Sequence, residues 1–526
     1  MASWWRHLGE NERLLPRSPN ALRERLRRGT LPGLAQETFR ARAADNLLDV
    51  DGSRATGAAL LAGSSAVAGR LSRVGARPGS RILVALPSSV EFATAYFGVH
   101  EAGCSAMLVN PSLTSAELAR LVAVGAPAAG LVSPDVVDAL GEHVDPAMTS
   151  ALSATVVVVV FSGTALRRAT VRPRAPVPDD EAVLAWTSGS TGEPKGVPLS
   201  HANLLSSVRA VVAAWRWTSD DVVVHALPLY HQHGLGALHA LALGGGRTVI
   251  RGRFDPDDLA ATIESERASL LLAVPAMYQR LVDAAPRPDR FASLRLAISG
   301  SAPLPPSLFS DVVDLLGIAP LERYGMTESG LDVSNPYAGP RKPGAIGYAL
   351  PGVEAVVVDP SGEEATPGND GEIWLRGPQV FSGYLGATDH GAVDDDGWLR
   401  TGDIGRVDPA DGAISITGRA KDVIISGGMN VHPREVELVL EQHGSVAAVA
   451  VGGVRSTRWG EAVVAFVVPR GGTLPSQREL DELCRRSLAP YKRPKRYVIV
   501  DELPRNHMGK IVRSSLAALA PDEPDG

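Results

Sequence analysis

The segment Thr187-Ser-Gly-Ser-Thr-Gly-Glu-Pro-Lys195 places four hydroxyl side chains, two glycines and a lysine within nine positions, and the other motifs of the chain are arranged around it. Glycines let backbone N–H groups approach a ligand closely, and hydroxyl and ammonium groups bind phosphate oxygens. The apolar residues 182–186 predict a strand before the segment, and residues 200–214 predict a helix with a serine N-cap after it. We interpret the segment as a phosphate-binding loop between strand and helix, with a flexible surface linker as the alternative. It differs from the P-loop pattern, because Pro194 precedes the lysine.

Length and composition indicate a globular protein of two or more domains. The chain has 526 residues, of which 44% are hydrophobic and 21% are charged. A net charge of −6 gives no electrostatic reason to bind nucleic acid or an anionic membrane, and no apolar segment is long enough to span a bilayer. Cys104 and Cys484 are too few for a disulfide framework. We therefore expect a cytoplasmic protein that is a monomer or a homodimer.

Strands and helices alternate through the first two thirds of the sequence. The apolar residues 81–87 and 106–110 predict strands, and residues 90–102 predict the helix between them. This order predicts an α/β fold with a large N-terminal domain of stacked mixed α/β sheets. From Gly352 onward, short strands separated by Gly, Asp and Pro turns predict a small β-barrel-like subdomain. Residues 421–520 predict a small α+β C-terminal domain.

Four further motifs carry groups that can bind a nucleotide. In Arg323-Tyr-Gly-Met-Thr-Glu328, the tyrosine can stack on a purine and the glutamate can bind Mg²⁺. Asp403 can accept hydrogen bonds from both ribose hydroxyls, or be a turn aspartate. Residues 418–422 offer a sugar or phosphate contact, or a salt-bridge network. Lys510 follows a glycine in a predicted loop, where a lysine is either catalytic or simply solvated.

Taken together, these segments resemble the adenylate-forming superfamily, which includes acyl-CoA synthetases, luciferases and the adenylation domains of peptide synthetases. The resemblance covers roughly residues 40–515 and is closest to free-standing acyl-CoA synthetases. The matching segments follow the family's order and spacing: residues 186–196, 227–234, 299–304, 323–329, 371–384, 398–403, 418–437 and 489–510.

The resemblance implies a two-step ligase that uses ATP, Mg²⁺ and CoA. A carboxylate attacks the α-phosphate of ATP and gives an acyl-adenylate and pyrophosphate, and a thiol then displaces AMP. In-line attack at phosphorus depends on neutralised charge and on positioning more than on covalent help from the protein. The implied partners are a small carboxylic acid, ATP and CoA, with a carrier protein as a possible acceptor.

The resemblance also assigns roles to single residues. Tyr324 is expected to stack on adenine, and Asp403 and Arg419 to hold the ribose. Glu328 is expected to bind Mg²⁺, and Lys510 to bridge the carboxylate and α-phosphate oxygens as charge builds there. The complete ATP- and AMP-binding set is Thr187, Ser188, Gly189, Ser190, Thr191, Gly192, Lys195, Ser301, Ala302, Tyr324, Gly325, Met326, Asp403 and Arg419. The catalytic set is Lys510, Thr327, Glu328 and His231.

In this family the small domain is mobile and rotates between the two steps. The resemblance places the hinge at Lys421 and the CoA tunnel at Ser426, Gly427 and Gly428. The predicted domain boundaries are 1–35 for an atypical N-terminal leader and 36–420 for the large ATP- and acid-binding domain. Residues 421–520 form the small mobile C-terminal domain, and 521–526 a disordered tail.

The resemblance places the acid pocket around small side chains, which predicts an apolar or bulky acid. Arg280 resembles the arginine of the malonate-activating branch, but Ile250 stands where that branch has a histidine, so an exposed helix arginine is the alternative. Asp332 is the one candidate for binding the amino group of an amino acid. The predicted pocket residues are His231, Gly236, Met277, Arg280, Ser299, Gly300 and Gly330.

For the thiol, the sequence favours CoA, because residues 426–437 resemble those of free-standing acyl-CoA synthetases and no carrier domain follows Lys510. Three alternatives remain open: a separate carrier protein, thioester formation on a preformed acyl-adenylate, and luciferase-like oxidation. A non-catalytic nucleotide sensor would have no need of the lysine at position 510.

Overall fold

The computed structural model describes residues 18–145, 149–161, 174–188, 194–244, 246–386, 391–426, 429–456, 458–471, 474–505 and 511–520. The predicted fold class is confirmed: a large α/β domain is followed by a small α+β domain. The α-helices of the described residues are α1 Pro19–Arg27, α2 Leu31–Ala41, α3 Gly57–Arg73, α4 Val90–Glu101, α5 Ser115–Gly125, α6 Pro134–Leu140, α7 His201–Ala214, α8 Gln232–Gly244, α9 Pro256–Glu266, α10 Pro275–Ala284, α11 Pro306–Leu316, α12 Pro433–Leu440 and α13 Gln477–Ser487.

The strands of the large domain are β1 Asn46–Val50, β2 Ser53–Thr56, β3 Arg81–Ala85, β4 Ser105–Leu108, β5 Ala129–Val132, β6 Ser150–Ala151, β7 Val157–Val160, β8 Glu181–Ser188, β9 Pro194–Ser200, β10 Val222–His225, β11 Arg247–Ile250, β12 Leu270–Ala273, β13 Leu296–Ser299, β14 Leu321–Tyr324, β15 Val333–Ser334, β16 Ala345–Ala349, β17 Glu354–Val358, β18 Asp370–Arg376, β19 Leu399–Val407 and β20 Ile414–Arg419. Those of the small domain are β21 Ile424–Ser426, β22 Met429–Val431, β23 Val446–Ser456, β24 Gly460–Pro469 and β25 Arg496–Ile499.

Two sheets form the large domain. The seven-stranded sheet has the order β6-β7-β5-β3-β4-β8-β9, with parallel pairing in its centre and antiparallel pairing at both edges. The thirteen-stranded sheet is parallel from β14 through β13, β12, β10 and β11 to β1. Its other half, β15 to β20, is antiparallel. The predicted barrel-like subdomain is therefore the antiparallel half of this sheet, in an open strand order that ends at β17.

The alternation of side chains along each strand sorts the large domain into layers. Ile82 of β3 and Leu270 of β12 face one shared core, together with helices α4, α7 and α8. Their neighbours point the other way: Leu83 packs with α5 and α6, and Leu271 packs with α9, α10 and α11. Helices α4, α7 and α8 are thus enclosed between the two sheets, which explains their apolar composition.

The phosphate-binding segment corrects one detail of the sequence interpretation. Strands β8 and β9 pair antiparallel, with Thr187 opposite Lys195, so the two ends of the segment lie on adjacent strands of a β-hairpin rather than on a strand and a helix. The predicted helix follows β9: the Ser200 side chain accepts a hydrogen bond from the Asn203 backbone, and α7 begins at His201. The predicted serine N-cap is thus present.

The N-terminal helices pack on the large domain. The Arg209 guanidinium of α7 donates to the carbonyls of Leu26 and Arg28 at the end of α1, at 2.7 and 2.5 Å. Helix α2 runs without interruption through the leader boundary predicted at residue 35. In the described part of the chain, no helix has the length and apolar character needed to cross a membrane.

Candidate active site

Parallel strands bring the predicted site residues to one edge of the large sheet. Strands β10, β12, β13 and β14 are neighbours, so the residues that follow them meet at the same side. Ligands of such sheets bind beyond the carboxyl ends of the strands. Ser301 and Ala302 come directly after β13, and Gly325 follows β14. Ser301 has a left-handed backbone conformation with φ of 68°, which is uncommon for a residue with a side chain.

The Thr-Glu turn, residues 325–330, follows β14 and folds back on itself. The Gly330 N–H donates to the Met326 carbonyl at 2.7 Å. A Cβ at position 325 would lie 1.9 Å from the Gly330 carbonyl oxygen, so only glycine fits there. Glu328 is buried within this turn, and its Oε1 accepts a hydrogen bond from the Tyr384 hydroxyl at 2.8 Å.

The residues predicted to hold the ribose form one bonded group. Asp403 of β19 lies opposite Arg419 of β20, and the Arg419 Nε donates to Asp403 Oδ1 at 2.7 Å. The Tyr324 hydroxyl donates to the other oxygen, Oδ2, at 2.7 Å. Burial raises the pKa of Tyr324 well above its usual value, and the Asp403 charge raises it further, so the hydroxyl stays a donor. The protein itself thus orients the Asp403 carboxylate.

A cavity adjoins the Thr-Glu turn, and we call it the acid cavity. Helix α7 supplies one wall, where Leu204, Val208 and Val211 recur at helical spacing. Gly236 of α8 borders it, and a Cβ there would meet no atom within 4 Å. The lining residues are Leu199, Asn203, Leu204, Ser207, Val208, Val211, Trp215, Trp217, Gln232, His233, Gly236, His239, Leu272, Arg323, Ser329, Gly330, Leu331 and Gln379.

Arg323 brings a positive charge to this cavity. Its side chain is buried, and its Nε and Nη2 have no hydrogen-bond partner. Burial lowers its pKa to about 10, so the guanidinium is protonated at neutral pH. The guanidinium lies against Gly300, where a Cβ would come within 2.4 Å of Cζ. The nearby Asp332 carboxylate instead accepts hydrogen bonds from Ser329 and Gln379.

Two polar side chains of α8 accompany Arg323. His233 Nδ1 lies 3.4 Å from the Ser301 hydroxyl, and His233 Nε2 and Gln232 Nε2 have no protein partner. Burial lowers the pKa of His233 well below its usual value, and the Arg323 charge lowers it further. The imidazole is therefore neutral, and it can exchange a hydrogen bond with a ligand without adding charge.

The structure places several predicted acid-pocket residues away from the cavity. Arg280 is exposed on α10, with its guanidinium over the Phe254 ring at 4.7 Å. Met277 packs among partly buried core residues, and His231 lies against the Tyr230 ring, with 4.7 Å between ring centroids. Asp332 is fully buried and bonded within the protein, which leaves it poorly placed to receive an amino group.

Other predicted residues are distributed as follows. Gly236 and Gly330 line the cavity, Gly300 supports Arg323, and Ser299 is buried at the end of β13. Lys421 is exposed in a 3-10 turn between the two domains, and the Ser426 side chain is buried. Gly189, Ser190, Thr191, Gly192, Gly427, Gly428 and Lys510 lie outside the described residues.

The sequence interpretation gave no individual role to four residues of this region. Arg323 stands in the quoted Tyr-Gly-Met-Thr-Glu motif, yet it was assigned no role. Residues 232–233 lie inside the segment 230–236 that the sequence interpretation gave to the acid pocket, although neither was named individually. Tyr384, in the segment 371–384 already matched to the family, could have been identified as a conspicuous aromatic next to glycine.

Comparisons with known proteins agree with this geometry. The chain matches the AMP-binding enzyme family over residues 35–385 and the C-terminal domain of AMP-binding enzymes over residues 435–510. It is 35% identical over 468 residues to oxalate–CoA ligase of Arabidopsis thaliana, covering 85% of this chain and 90% of that protein. It is 35% identical over 457 residues to feruloyl-CoA synthase of an Amycolatopsis species, covering 86% and 91%. ATP-bound MatB from Rhodopseudomonas palustris has a TM-score of 0.83 at 34% identity, covering 93% of this chain and 99% of that one.

The chain therefore belongs to the AMP-binding enzyme family, and within it stands close to the acyl-CoA synthetases. The predicted superfamily is confirmed, as is the predicted enzyme class, an AMP-forming acid–thiol ligase. ATP and CoA are substrates of the CoA ligases in this family.

Proposed function

We propose that this enzyme activates a carboxylic acid that carries a second anionic group on an apolar body, and transfers the acyl group to CoA. The observation that carries this proposal is the buried Arg323 guanidinium, whose Nε and Nη2 have no partner and which borders the acid cavity. A buried charged donor left unpaired is costly, and an anion that pairs with it recovers that cost on binding.

The second anionic group is distinguished from the reacting carboxylate by position. The reacting carboxylate must reach the α-phosphate near Thr327. Arg323 precedes the Thr-Glu turn, and its guanidinium lies against Gly300 and lines the cavity together with residues of α8. An acid with an anionic group at both positions is a dicarboxylate, or a carboxylic acid that carries a comparable acidic substituent. The oxalate–CoA ligase relative has a dicarboxylate in its name, which supports this choice.

The apolar or bulky body is supported by the rest of the cavity. Trp215 and Trp217 line it, together with Leu204, Val208 and Val211 of α7. Contact between these side chains and an apolar group of the acid stabilises the complex by roughly 25 cal/mol for each Å² of apolar surface removed from water. The feruloyl-CoA synthase relative, named for an aromatic acid, supports this part of the proposal.

The adenylation step follows from the charges around the Thr-Glu turn. Thr187, Lys195 and the hairpin turn would enclose the β- and γ-phosphates, and Tyr324, Asp403 and Arg419 would hold the nucleoside. A substrate carboxylate oxygen forms a bond to the α-phosphorus while the bond to pyrophosphate breaks. Lys510, outside the described residues, would neutralise the charge that builds on the oxygens between them.

Glu328 fits a magnesium site with one protein carboxylate. Its Oε1 is occupied by the Tyr384 hydroxyl, which leaves Oε2 for a cation. Among the described residues, no group of three or more His, Cys, Asp and Glu is placed to hold a metal ion. Mg²⁺ would therefore take its other ligands from phosphate and water, as it commonly does, and would supply charge neutralisation on the phosphates.

The thioester step would use the small domain in a second position. We propose that Lys421 is the hinge, because it is exposed in the short turn that joins β20 to β21. A hinge of this kind absorbs a large change in a few backbone dihedrals. Ser426 would then face the pantetheine arm of CoA together with the two glycines that follow it.

The test is CoA-dependent release of AMP across a panel of acids. The panel contains malonate, substituted malonates and aromatic dicarboxylates, each beside the monocarboxylate that lacks the second acid group. We expect the substituted dicarboxylates to give the highest kcat/KM. Preference for the matching monocarboxylates would contradict the second anionic group, and AMP release without CoA consumption would contradict CoA as the acceptor.

A further inference from the structure

Residues 378–385, which we call the bridging segment, are hydrogen-bonded to helix α7 and to strand β9 of the β8–β9 hairpin. The Asn203 side-chain amide of α7 donates to two carbonyls of the segment, at 3.0 and 2.8 Å. At the other end of the segment, the Leu385 N–H donates to the Gly196 carbonyl of β9 at 2.9 Å. A Cβ at Gly196 would lie 3.0 Å from the Leu385 side chain, so strand and segment are in close contact.

The same segment holds Glu328 at two points. The Phe381 N–H donates to the Glu328 carbonyl at 2.9 Å, and the Tyr384 hydroxyl donates to Glu328 Oε1 at 2.8 Å. The Phe381 and Tyr384 rings meet edge to face, with 5.0 Å between their centroids. Backbone and carboxylate of Glu328 are thus both fixed by residues that are more than 50 positions away in sequence.

The face of the Tyr384 ring makes a second and separate contact. Lys195 Nζ lies 4.7 Å from the ring centroid, within the range of a cation–π interaction. Lys195 is otherwise exposed on β9, where a long side chain samples many rotamers. The ring therefore favours a position of the ammonium group next to Tyr384, whose hydroxyl is bonded to Glu328.

The hydroxyl of Tyr384 is a stable donor. A phenol hydroxyl is a hydrogen-bond donor at neutral pH, and this one lies 2.8 Å from Glu328 Oε1. The donated proton fixes Oε1 and leaves Oε2 on the opposite side of the carboxyl group. Hydrogen bonds to a ligating carboxylate commonly set its orientation toward a metal ion.

We propose that Tyr384 is a positioning residue for the adenylation step. Its hydroxyl orients Glu328 toward the cation that accompanies ATP, and its ring holds Lys195 beside the phosphates. One side chain thereby sets the relative position of the metal-binding carboxylate and the phosphate-binding lysine. This inference rests on the proposed roles of Glu328 and Lys195 in binding ATP, and it is independent of which acid is the substrate.

The first experiment measures binding of an ATP analogue that has a methylene group between the α- and β-phosphates, so that the bond broken in adenylation is inert. Binding is measured by calorimetry, with MgCl2 or with EDTA and without any acid. Tyr384→Phe removes the hydroxyl and keeps the ring, so we expect Mg²⁺-dependent affinity to fall about tenfold. Affinity in EDTA should be unchanged in this variant. Tyr384→Leu also removes the ring face, so we expect its affinity to fall in EDTA as well, because Lys195 loses its contact.

The second experiment measures the two half-reactions with an acid that the wild type accepts. Tyr384→Phe should raise the Mg²⁺ concentration for half-maximal pyrophosphate exchange, while thioester formation from supplied acyl-adenylate stays at the wild-type rate. Tyr491→Phe, a partly buried tyrosine of the small domain, serves as the matched control and should change neither reaction.

Three results would overturn the proposal. One is wild-type Mg²⁺ dependence in Tyr384→Phe. Another is an equal loss of affinity with and without Mg²⁺ in that variant, accompanied by a lower melting temperature, since both would follow from a merely structural role. The third is an unchanged affinity in EDTA for a folded Tyr384→Leu. If no acid in the panel is activated by the wild type, the proposed function fails, but the calorimetric comparison still decides the role of Tyr384.

Discussion

Two regions differ in how their polar groups are satisfied: the Asp403 group, which we propose binds the nucleotide and call the nucleotide end, and the acid cavity, which we propose binds the acid and call the acid end. At the nucleotide end, Tyr324 and Arg419 both donate to Asp403, so the group is complete within the protein. At the acid end, Arg323 has two nitrogens without a partner, and Gln232 and His233 each have one. The nucleotide end is therefore preorganised, whereas the acid end is completed by its ligand.

This difference has an energetic consequence for selectivity. Preorganised groups lose little entropy when a ligand binds, so they give affinity that is nearly independent of the acid. An unpaired buried donor instead penalises every acid that fails to pair with it, because the penalty remains in that complex. We expect selection among acids to depend on Arg323 and affinity for ATP to depend on the Asp403 group.

The strongest test of this contrast is Arg323→Met. Methionine fills similar space without charge, so an acid with a second anionic group would bury that group unpaired, at a cost of about 3–5 kcal/mol. We expect kcat/KM for the preferred dicarboxylate to fall at least a hundredfold, with the KM for ATP unchanged. The monocarboxylate of the same length is the control, and an equal loss for both acids would remove the contrast.

The reciprocal test is Asp403→Asn at the nucleotide end. This change takes the charged acceptor from Tyr324 and Arg419, and charge-assisted hydrogen bonds are worth about 1.5–3 kcal/mol each. We expect the KM for ATP to rise about tenfold to a hundredfold, while the KM for the acid stays constant at saturating ATP. Unchanged ATP affinity in calorimetry would show that the carboxylate only stabilises the β19–β20 pair.

A third test uses His239, which lines the acid cavity. Its Nε2 is hydrogen-bonded to the Tyr96 hydroxyl at 2.7 Å. Burial lowers the pKa of His239 to about 3, so the unfolded chain binds its proton near pH 6.5 while the folded chain stays neutral. Stability from this group is therefore complete above pH 6.5 and is lost as the pH falls. His239→Gln should make the unfolding free energy less dependent on pH, by about 1.4 kcal/mol per pH unit between pH 6 and 4.

Denaturant titrations of both proteins at several pH values measure this difference. Parallel pH curves for wild type and variant would mean that His239 is protonated in the folded state. The acid end would then contain a second cation, and the contrast with the nucleotide end would have to be revised.

The smallest expected effect is that of Gly300→Ala. The new Cβ would lie within 2.4 Å of the Arg323 guanidinium, which must shift to make room. Overpacking of this kind costs about 1–3 kcal/mol, so we expect roughly a fivefold or larger loss of kcat/KM for the dicarboxylate. Combined with Arg323→Met, the change should be less than additive, and full additivity would indicate that Gly300 acts independently.

Much of the fold was accessible from the sequence because its elements are locally encoded. Apolar runs predicted β3 and β4, and Ser200 was correctly identified as the N-cap of α7. The hairpin was missed for an equally local reason. Strand β9 contains Pro194 and Pro198, which argue against a strand, but β9 lies at the edge of its sheet, where proline is tolerated.

The candidate site likewise has one part that the sequence predicted and one part that it missed. The Thr-Glu motif indicated the nucleotide end, where Asp403 and Arg419 are paired by the register of two strands that follow one another in sequence. At the acid end, the sequence pointed to Arg280 alone. Arg280 is exposed on its helix, and Arg323, which received no role, is buried at the cavity.

The sequence by itself determined the chemistry of the family motifs, the helix and strand periodicities and the residue types around ATP. Only the tertiary structure showed which arginine borders the cavity, which histidines line it, and that Tyr384 contacts both Glu328 and Lys195. The physical reason is that periodicity specifies which residues share a face, whereas burial depends on what packs against that face. Arg323 is buried against Gly300 at a cavity that it shares with helices α7 and α8, and the residues of α7 are more than 100 positions away from it in the chain.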